Sequence, residues 1–275
     1  MDLTSPKAIK ELFSKGANKP NKILGQNFLI DKNVLKKIID SSNITPNDTI
    51  LEVGPGIGTL TQELAKYAKR VIAVEKDKKM LKILEDTLKD YKNIEIIQGD
   101  ILHYKLQTTH YKLVANIPYY LTSPLIRKFL EDKNPPSEII LMVQKEVAQR
   151  ICAKPPKMSL LAVSVQFYAE PKIISYVSKN CFWPAPKVDS AIIKIIPRRL
   201  TSQELLRQTS PSLFFKVVKT GFSQPRKQLL GNLSKSLKLD KEKIAEWLLQ
   251  NNINPKQRAE TLSINDWAEL TQNFR

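Results

Sequence analysis

An amide, a carbonyl and an aromatic ring stand together in Asn116-Ile117-Pro118-Tyr119, directly after the short apolar run Leu113-Val114-Ala115. A strand ending this way offers two hydrogen-bond acceptors beside a stacking surface. That set suits a flat heterocycle with an exocyclic amine, such as adenine. The Asn116 amide oxygen and the Ile117 carbonyl can take the two amine hydrogens while Tyr119 stacks on the ring. Pro118 fixes its own φ and has no N–H to donate, so the turn is stiff. Asn and Pro are also ordinary turn residues, and the segment takes its chemical meaning from the chain about sixty residues upstream.

There Thr49-Ile50-Leu51-Glu52-Val53 runs into Gly54-Pro55-Gly56-Ile57-Gly58, followed by a helical pattern in Leu60, Leu64, Ala65 and Ala68. Glycines allow positive φ and let the backbone approach a ligand closely. The spacing is Gly-x-Gly-x-Gly, not the Gly-x-Gly-x-x-Gly of dinucleotide folds, and no Lys-Ser/Thr follows as in a P-loop. A tight loop without phosphate machinery fits a nucleoside that lacks a pyrophosphate. The next strand, Arg70-Val71-Ile72-Ala73-Val74, ends in Glu75, about 20 residues past the loop, where an acid reaches ribose hydroxyls. A third strand, Ile94-Glu95-Ile96-Ile97, ends in Gln98-Gly99-Asp100. Ligands of doubly wound sheets bind at this carboxyl edge.

Holding these groups together requires a set order of elements. Val34, Leu35, Ile38 and Ile39 have helical spacing, and Thr45-Pro46-Asn47-Asp48 is expected to end that helix. Three strand–helix units follow, then a helix around Pro124–Leu130 and a buried strand Ile139–Val143. Helices are expected near Lys145–Ala153 and Ser159–Tyr168, and Ile173–Val177 and Ala191–Ile196 read as closing strands. The alternation predicts an α/β fold, a doubly wound, mostly parallel sheet with helices on both faces. From Leu200 only helical spacing remains, in Leu213–Val218, Leu229–Leu237, Ile244–Leu249 and Trp267–Leu270. The expected organisation is a basic N-terminal segment (1–30) contributing to the ligand site, an α/β domain (31–199) and a small all-α domain (200–275).

Three more segments complete a recognisable series: Leu24-Gly25-Gln26-Asn27-Phe28-Leu29, Phe182-Trp183-Pro184-Ala185-Pro186-Lys187-Val188-Asp189-Ser190 and Arg258-Ala259-Glu260-Thr261-Leu262-Ser263. In this order the motifs resemble S-adenosylmethionine-dependent methyltransferases, and more closely the KsgA family of small-subunit rRNA adenine dimethyltransferases, from about residue 20 to the C-terminus. The resemblance implies a Rossmann-like methyltransferase sheet and S-adenosyl-L-methionine as cofactor. It places Gln26, Asn27 and Leu29 at the methionine part, Gly54 and Gly56 in the loop, and Glu75 at the ribose. Asp100, with Ile101, would meet the adenine, Asn116 the target amine, and Phe182 the target base opposite Tyr119. The implied substrate is a pair of adjacent adenosines in the hairpin loop near the 3′ end of 16S rRNA, within an immature small subunit. Two alternatives stand beside it: a 23S rRNA adenine methyltransferase of the macrolide-resistance type, and a ribosome-assembly factor acting mainly by binding. The Phe182–Ser190 run and the Arg258 tail favour the small-subunit enzyme. Phe222-Ser223-Gln224-Pro225-Arg226-Lys227 resembles a basic helix start of the family, with Pro225 where another Arg is usual. Pro suits a first helical turn.

Composition points the same way independently. Lys and Arg number 44 against 27 acids, a formal charge of +17, which fits a polyanionic partner such as rRNA. Residues 198–243 hold 11 basic and three acidic side chains, and Lys7, Lys10, Lys15, Lys19 and Lys22 face only Asp2 and Glu11 near the N-terminus. Arg226, Lys227, Lys22, Arg198 and Arg199 are the expected RNA contacts. Cys152 and Cys181 lack metal or disulfide spacing, His103 and His110 are isolated, and no metal is expected. With no apolar run of membrane-spanning length and no secretory signal, a cytoplasmic protein is expected; a monomer is expected as well. Tyr120 reads as packing, while Trp183 fits either core or site.

Overall fold

The computed structural model describes residues 1–15, 20–21, 24–198 and 209–274. The chain divides into two compact units, Met1–Ala148 with Lys172–Pro197, and Gln149–Pro171 with Arg198–Arg275.

In the first unit, chain order runs α1 (Pro6–Lys15), β1 (Phe28–Leu29), α2 (Lys32–Ser42), β2 (Thr49–Val53), α3 (Thr59–Ala65), β3 (Arg70–Glu75), α4 (Lys78–Thr87), β4 (Ile94–Gln98), β5 (Lys112–Asn116), α5 (Thr122–Leu130) and β6 (Ile139–Gln144). After α6 (Lys145–Ile151) and α7 (Leu160–Tyr168), the strands β7 (Ala169–Val177), β8 (Phe182–Trp183) and β9 (Ser190–Pro197) follow. The main sheet has the order β4-β3-β2-β5-β6-β9-β7, and β1 pairs with β8 in a separate two-stranded ladder. The pairs β3–β4, β2–β3, β2–β5 and β5–β6 are parallel, and β9 runs antiparallel to β6. Strands covered on both faces need continuous apolar side chains. Accordingly Ile139 through Val143 are all at most 1% exposed. This is the Rossmann-like, mostly parallel sheet expected from the alternation.

Local signals set the helix ends. The Asp31 carboxylate accepts from the N–H groups of Asn33 and Val34 and starts α2. The helix stops at Asn43, which adopts φ 44°, two residues before the stop expected at Thr45. Asn tolerates this left-handed conformation better than most residues.

The second unit contains α7 and the helices α8 (Pro211–Gly221), α9 (Leu229–Leu237), α10 (Lys241–Gln250) and α11 (Ile264–Gln272). Its core is aromatic: Phe214 and Trp267 are fully buried, and the Phe167 and Phe214 ring centres lie 4.3 Å apart. Residues 149–171 therefore group with the C-terminal helices, although they precede residue 200 in sequence. Ser263 and Asp266 form a reciprocal capping box at the start of α11. One local expectation is corrected. Because α9 begins at Leu229 with Gln228 as its N-cap, Pro225, Arg226 and Lys227 lie in the preceding turn, not in a first helical turn.

Candidate active site

Three segments meet at the carboxyl edge of β2, β3 and β5. The β2 strand delivers Gly54 at φ +65°, and its N–H donates to the Val74 carbonyl at 3.0 Å, which ties the loop to β3. A Cβ on Gly56 would stand 3.1 Å from the Phe28 ring, so β1 rests directly on the loop. Pro118 lies close to the Cβ positions of both Gly25 and Gly54, at 3.5 and 3.7 Å. The stiff turn after β5 is thus seated between two glycines.

One cavity in the first unit is lined by every residue assigned to the cofactor or target base. Gln26, Asn27 and Leu29 come from the segment before α2, Gly54 and Gly56 from the loop, and Glu75, Asp100 and Ile101 from the ends of β3 and β4. Asn116, Ile117, Pro118, Tyr119 and Phe182 complete it. The Gln26 amide donates to Asp77 at 2.8 Å and accepts from the Asn21 N–H at 2.7 Å. Asn116 donates from Nδ2 to the Asn27 carbonyl at 3.4 Å, which orients Oδ1 as the acceptor. The Tyr119 hydroxyl shares a 2.8 Å hydrogen bond with Ser190, a fully buried residue of β9, and the ring orientation is fixed by it. Phe182 is only 4% exposed and forms a wall of the cavity while packing into the sheet core.

The three acids of the cavity are tuned differently. Glu75 accepts from the N–H groups of Gly56 (3.2 Å) and Asp77 (2.8 Å), yet its burial outweighs these donors and raises its carboxyl above the ordinary range. Asp100 is held ionised, chiefly by Lys76 at 2.9 Å and also by the Leu102 N–H at 3.0 Å. Glu52 was not selected from the sequence. It is 1% exposed, and its Oε2 has no hydrogen-bond partner among the described residues. Burial pushes its carboxyl up to about 8, with the Glu75 charge adding in the same direction; the neighbouring Thr61 hydroxyl offsets part of the rise without a hydrogen bond of good geometry.

Other missed lining residues are Phe28, Thr59, Lys76 and Tyr120. Tyr120 is 57% exposed, so the packing role expected for it is corrected: its neighbour Tyr119 turns inward to Ser190 and leaves Tyr120 facing solvent. A signal for Glu52 was present, since an acid inside an otherwise apolar strand demands a reason. Nothing in the sequence marks Ser190 as the partner of Tyr119. Trp183 belongs with packing, its ring centre 6.1 Å from that of Phe13.

Among the expected RNA contacts, Arg226 and Lys227 are exposed, whereas Lys22 and Arg199 lie outside the described residues. The Arg198 guanidinium is engaged within the second unit, 2.6 Å from Glu170 and 3.2 Å from the Gln166 carbonyl, with its side chain 13% exposed. No group of three or more metal-ligand side chains occurs among the described residues, and no described helix is long and apolar enough to cross a membrane.

A family model described as ribosomal RNA adenine dimethylase matches residues 17–275. This chain belongs to that family. It is 44% identical over 270 residues to a ribosomal RNA small subunit methyltransferase A of Dehalococcoides mccartyi, covering 96% of this chain and 92% of that protein. A protein of the same name from Clostridioides difficile is 43% identical over 279 residues, covering 98% and 96%. Among solved structures, a dimethyladenosine transferase from Plasmodium falciparum superimposes with a TM-score of 0.75 at 27% identity, over 88% of this chain and 95% of that one. The 23S rRNA methyltransferase ErmE gives 0.73 at 26% identity, over 90% and 99%.

Proposed function

We propose that this chain transfers methyl groups from S-adenosyl-L-methionine to the N6 amines of two adjacent adenosines in the 3′-terminal hairpin loop of 16S rRNA, within an immature small subunit, giving N6,N6-dimethyladenosine. It would act as a cytoplasmic monomer. The supporting observation is the convergence of Asn116–Tyr119, the glycine loop and Glu75 on one cavity. The near-full-length likeness to proteins named small subunit methyltransferase A, at above 40% identity, favours this reading over the 23S one, for which the likeness to ErmE stands at 26%.

The residues fit the cofactor. Positive φ at Gly54 and Gly56 leaves the backbone bare toward the cavity. Glu75 presents a carboxylate for ribose hydroxyls, while the unpartnered Glu52 oxygen would favour a cation nearby. When bound, S-adenosylmethionine supplies an electrophilic methyl group. The chain's own work is alignment. Asn116 Oδ1 and the Ile117 carbonyl accept the two amine hydrogens and draw the nitrogen lone pair out of conjugation with the ring. They also stabilise positive charge as it develops on that nitrogen. Tyr119, held by Ser190, supplies a fixed stacking wall. No side chain has to remove a proton, because the product ammonium is acidic enough to lose one to water. After one transfer the amine keeps a single hydrogen, so a second transfer requires the methylated amine to rotate in the pocket.

The test is methyl transfer to unmethylated small subunits and, separately, to large-subunit rRNA, with nucleoside mass spectrometry and site mapping. Dimethyladenosine confined to the small subunit is expected. Label in large-subunit RNA would install the 23S reading, and absence of label in both would leave an assembly role.

A further inference from the structure

The strand β7 closes one edge of the sheet in the first unit, and its side chains alternate between faces. Lys172, Ile174 and Tyr176 share an exposed face, with Ile174 37% and Tyr176 52% exposed. Lys145, the first residue of α6, holds its ammonium 5.4 Å from the centre of the Tyr176 ring. The same lysine reaches the candidate active site through the backbone. Its N–H donates to the Asp189 carbonyl at 3.0 Å, and the next residue, Ser190, carries the hydrogen bond to Tyr119. An exposed aromatic ring with a cation over it thus lies beside the residues that fix the stacking wall.

We propose that Tyr176 and Lys145 form a docking station for an unpaired nucleotide flanking the target adenosine, with the base stacked on Tyr176 and its phosphate at Lys145. The inference rests on RNA being the substrate. Exposed aromatic rings paired with basic groups suit single-stranded RNA, because every base has a π-face and every nucleotide brings a negative charge. Stacking would cover the ring, while Lys145 would exchange a weak contact with the ring for a charge-assisted one with phosphate. The acids of this rim do not oppose the arrangement equally. Asp189 already accepts the Lys179 N–H through Oδ1 at 3.0 Å, and Glu146 is the exposed acid next to Lys145. The excess of positive charge, +17 over the chain, favours an anionic occupant over an apolar protein segment, and the exposed Tyr176 ring favours a nucleotide among anions.

Two measurements on the full chain test this. In steady-state methyl transfer to unmethylated small subunits, Tyr176→Ala is expected to raise KM about tenfold, within the range of a lost base stack, with kcat within about twofold and cofactor affinity unchanged. Tyr176→Phe, which keeps the ring, should restore the wild-type KM. In fluorescence titration with a short single-stranded oligoadenylate, Tyr176→Ala should weaken binding by a similar factor, and Lys145→Ala should weaken it and reduce the salt dependence by about one counterion. Wild-type affinity for the oligoadenylate in Tyr176→Ala would overturn the docking station, as would no binding by the wild type. Failure of the wild type to methylate small subunits would overturn the proposed function instead, while the titration still decides the docking station.

Discussion

Replacing Glu52 by Gln isolates the consequence of burying an acid without a donor. The wild-type carboxyl stands at about 8 against an ordinary value of 4.5. The folded chain therefore binds this proton more tightly than the unfolded chain. The resulting stability is fully present below the ordinary carboxyl value and is lost as pH rises through about 8. Between pH 6 and pH 9 the linkage amounts to a loss of roughly 2–3 kcal/mol, at about 1.4 kcal/mol per pH unit over the part of that window below the raised value. Glutamine keeps the shape and cannot titrate, so Glu52→Gln should lose less stability than the wild type over the same interval, by that amount. Urea unfolding followed by circular dichroism at pH 6 and pH 9 measures it, and comparing the two proteins at each pH cancels the other titrating groups. Parallel pH dependences for wild type and variant would refute the reasoning, because they would mean that Glu52 is ionised in the folded state throughout.

Asn116→Ala removes one of two acceptors for the target amine and is expected to lower single-turnover methyl transfer by about a hundredfold or more, with cofactor affinity by calorimetry within about threefold; full activity would remove the alignment mechanism. Glu75→Ala should instead raise the cofactor Kd by about ten- to a hundredfold, and an unchanged Kd would show that the ribose assignment is wrong. Gly221→Ala would place a Cβ 2.3 Å from the buried Trp267 ring, so the second unit should lose about 1–3 kcal/mol in denaturant unfolding, whereas a gain would mean that helix propensity outweighs the clash. Affinity for small-subunit rRNA should fall by orders of magnitude over a few-fold rise in salt, and a flat response in filter binding would assign the positive charge to another purpose.

The legible parts of this chain share a physical origin. Continuous apolar runs announced β2, β3, β5 and β6 because a parallel sheet buries both faces, and turn chemistry at Gly54–Gly58 and Asn116–Tyr119 requires particular residues at particular positions. Those features are local. What sequence spacing did not disclose is non-local pairing: Ser190 with Tyr119, 71 positions apart, and Gln26 with Asp77, 51 apart. Tyr120 was misassigned for a related reason. An aromatic next to a functional aromatic looks like packing until the neighbour's hydrogen bond decides which of the two turns inward. The short β1–β8 ladder was equally hidden, since two-residue strands carry no period.

The three acids show how little of a site's charge can be counted from its residues. Glu52, Glu75 and Asp100 line one cavity, and a sequence count would give it three negative charges. Partners grade them. Asp100 has a lysine and a backbone donor and sits low; Glu75 has backbone donors only, under heavy burial, and sits high; the Glu52 Oε2 has no hydrogen-bond partner among the described residues, and its carboxyl sits highest. A cation entering beside the two raised groups would lower both, and the effect matters most at Glu52, whose carboxyl burial has pushed up to about 8. Without such a ligand the Glu52 carboxyl, at about 8, stays protonated at neutral pH, which spares the fold a second negative charge beside Glu75.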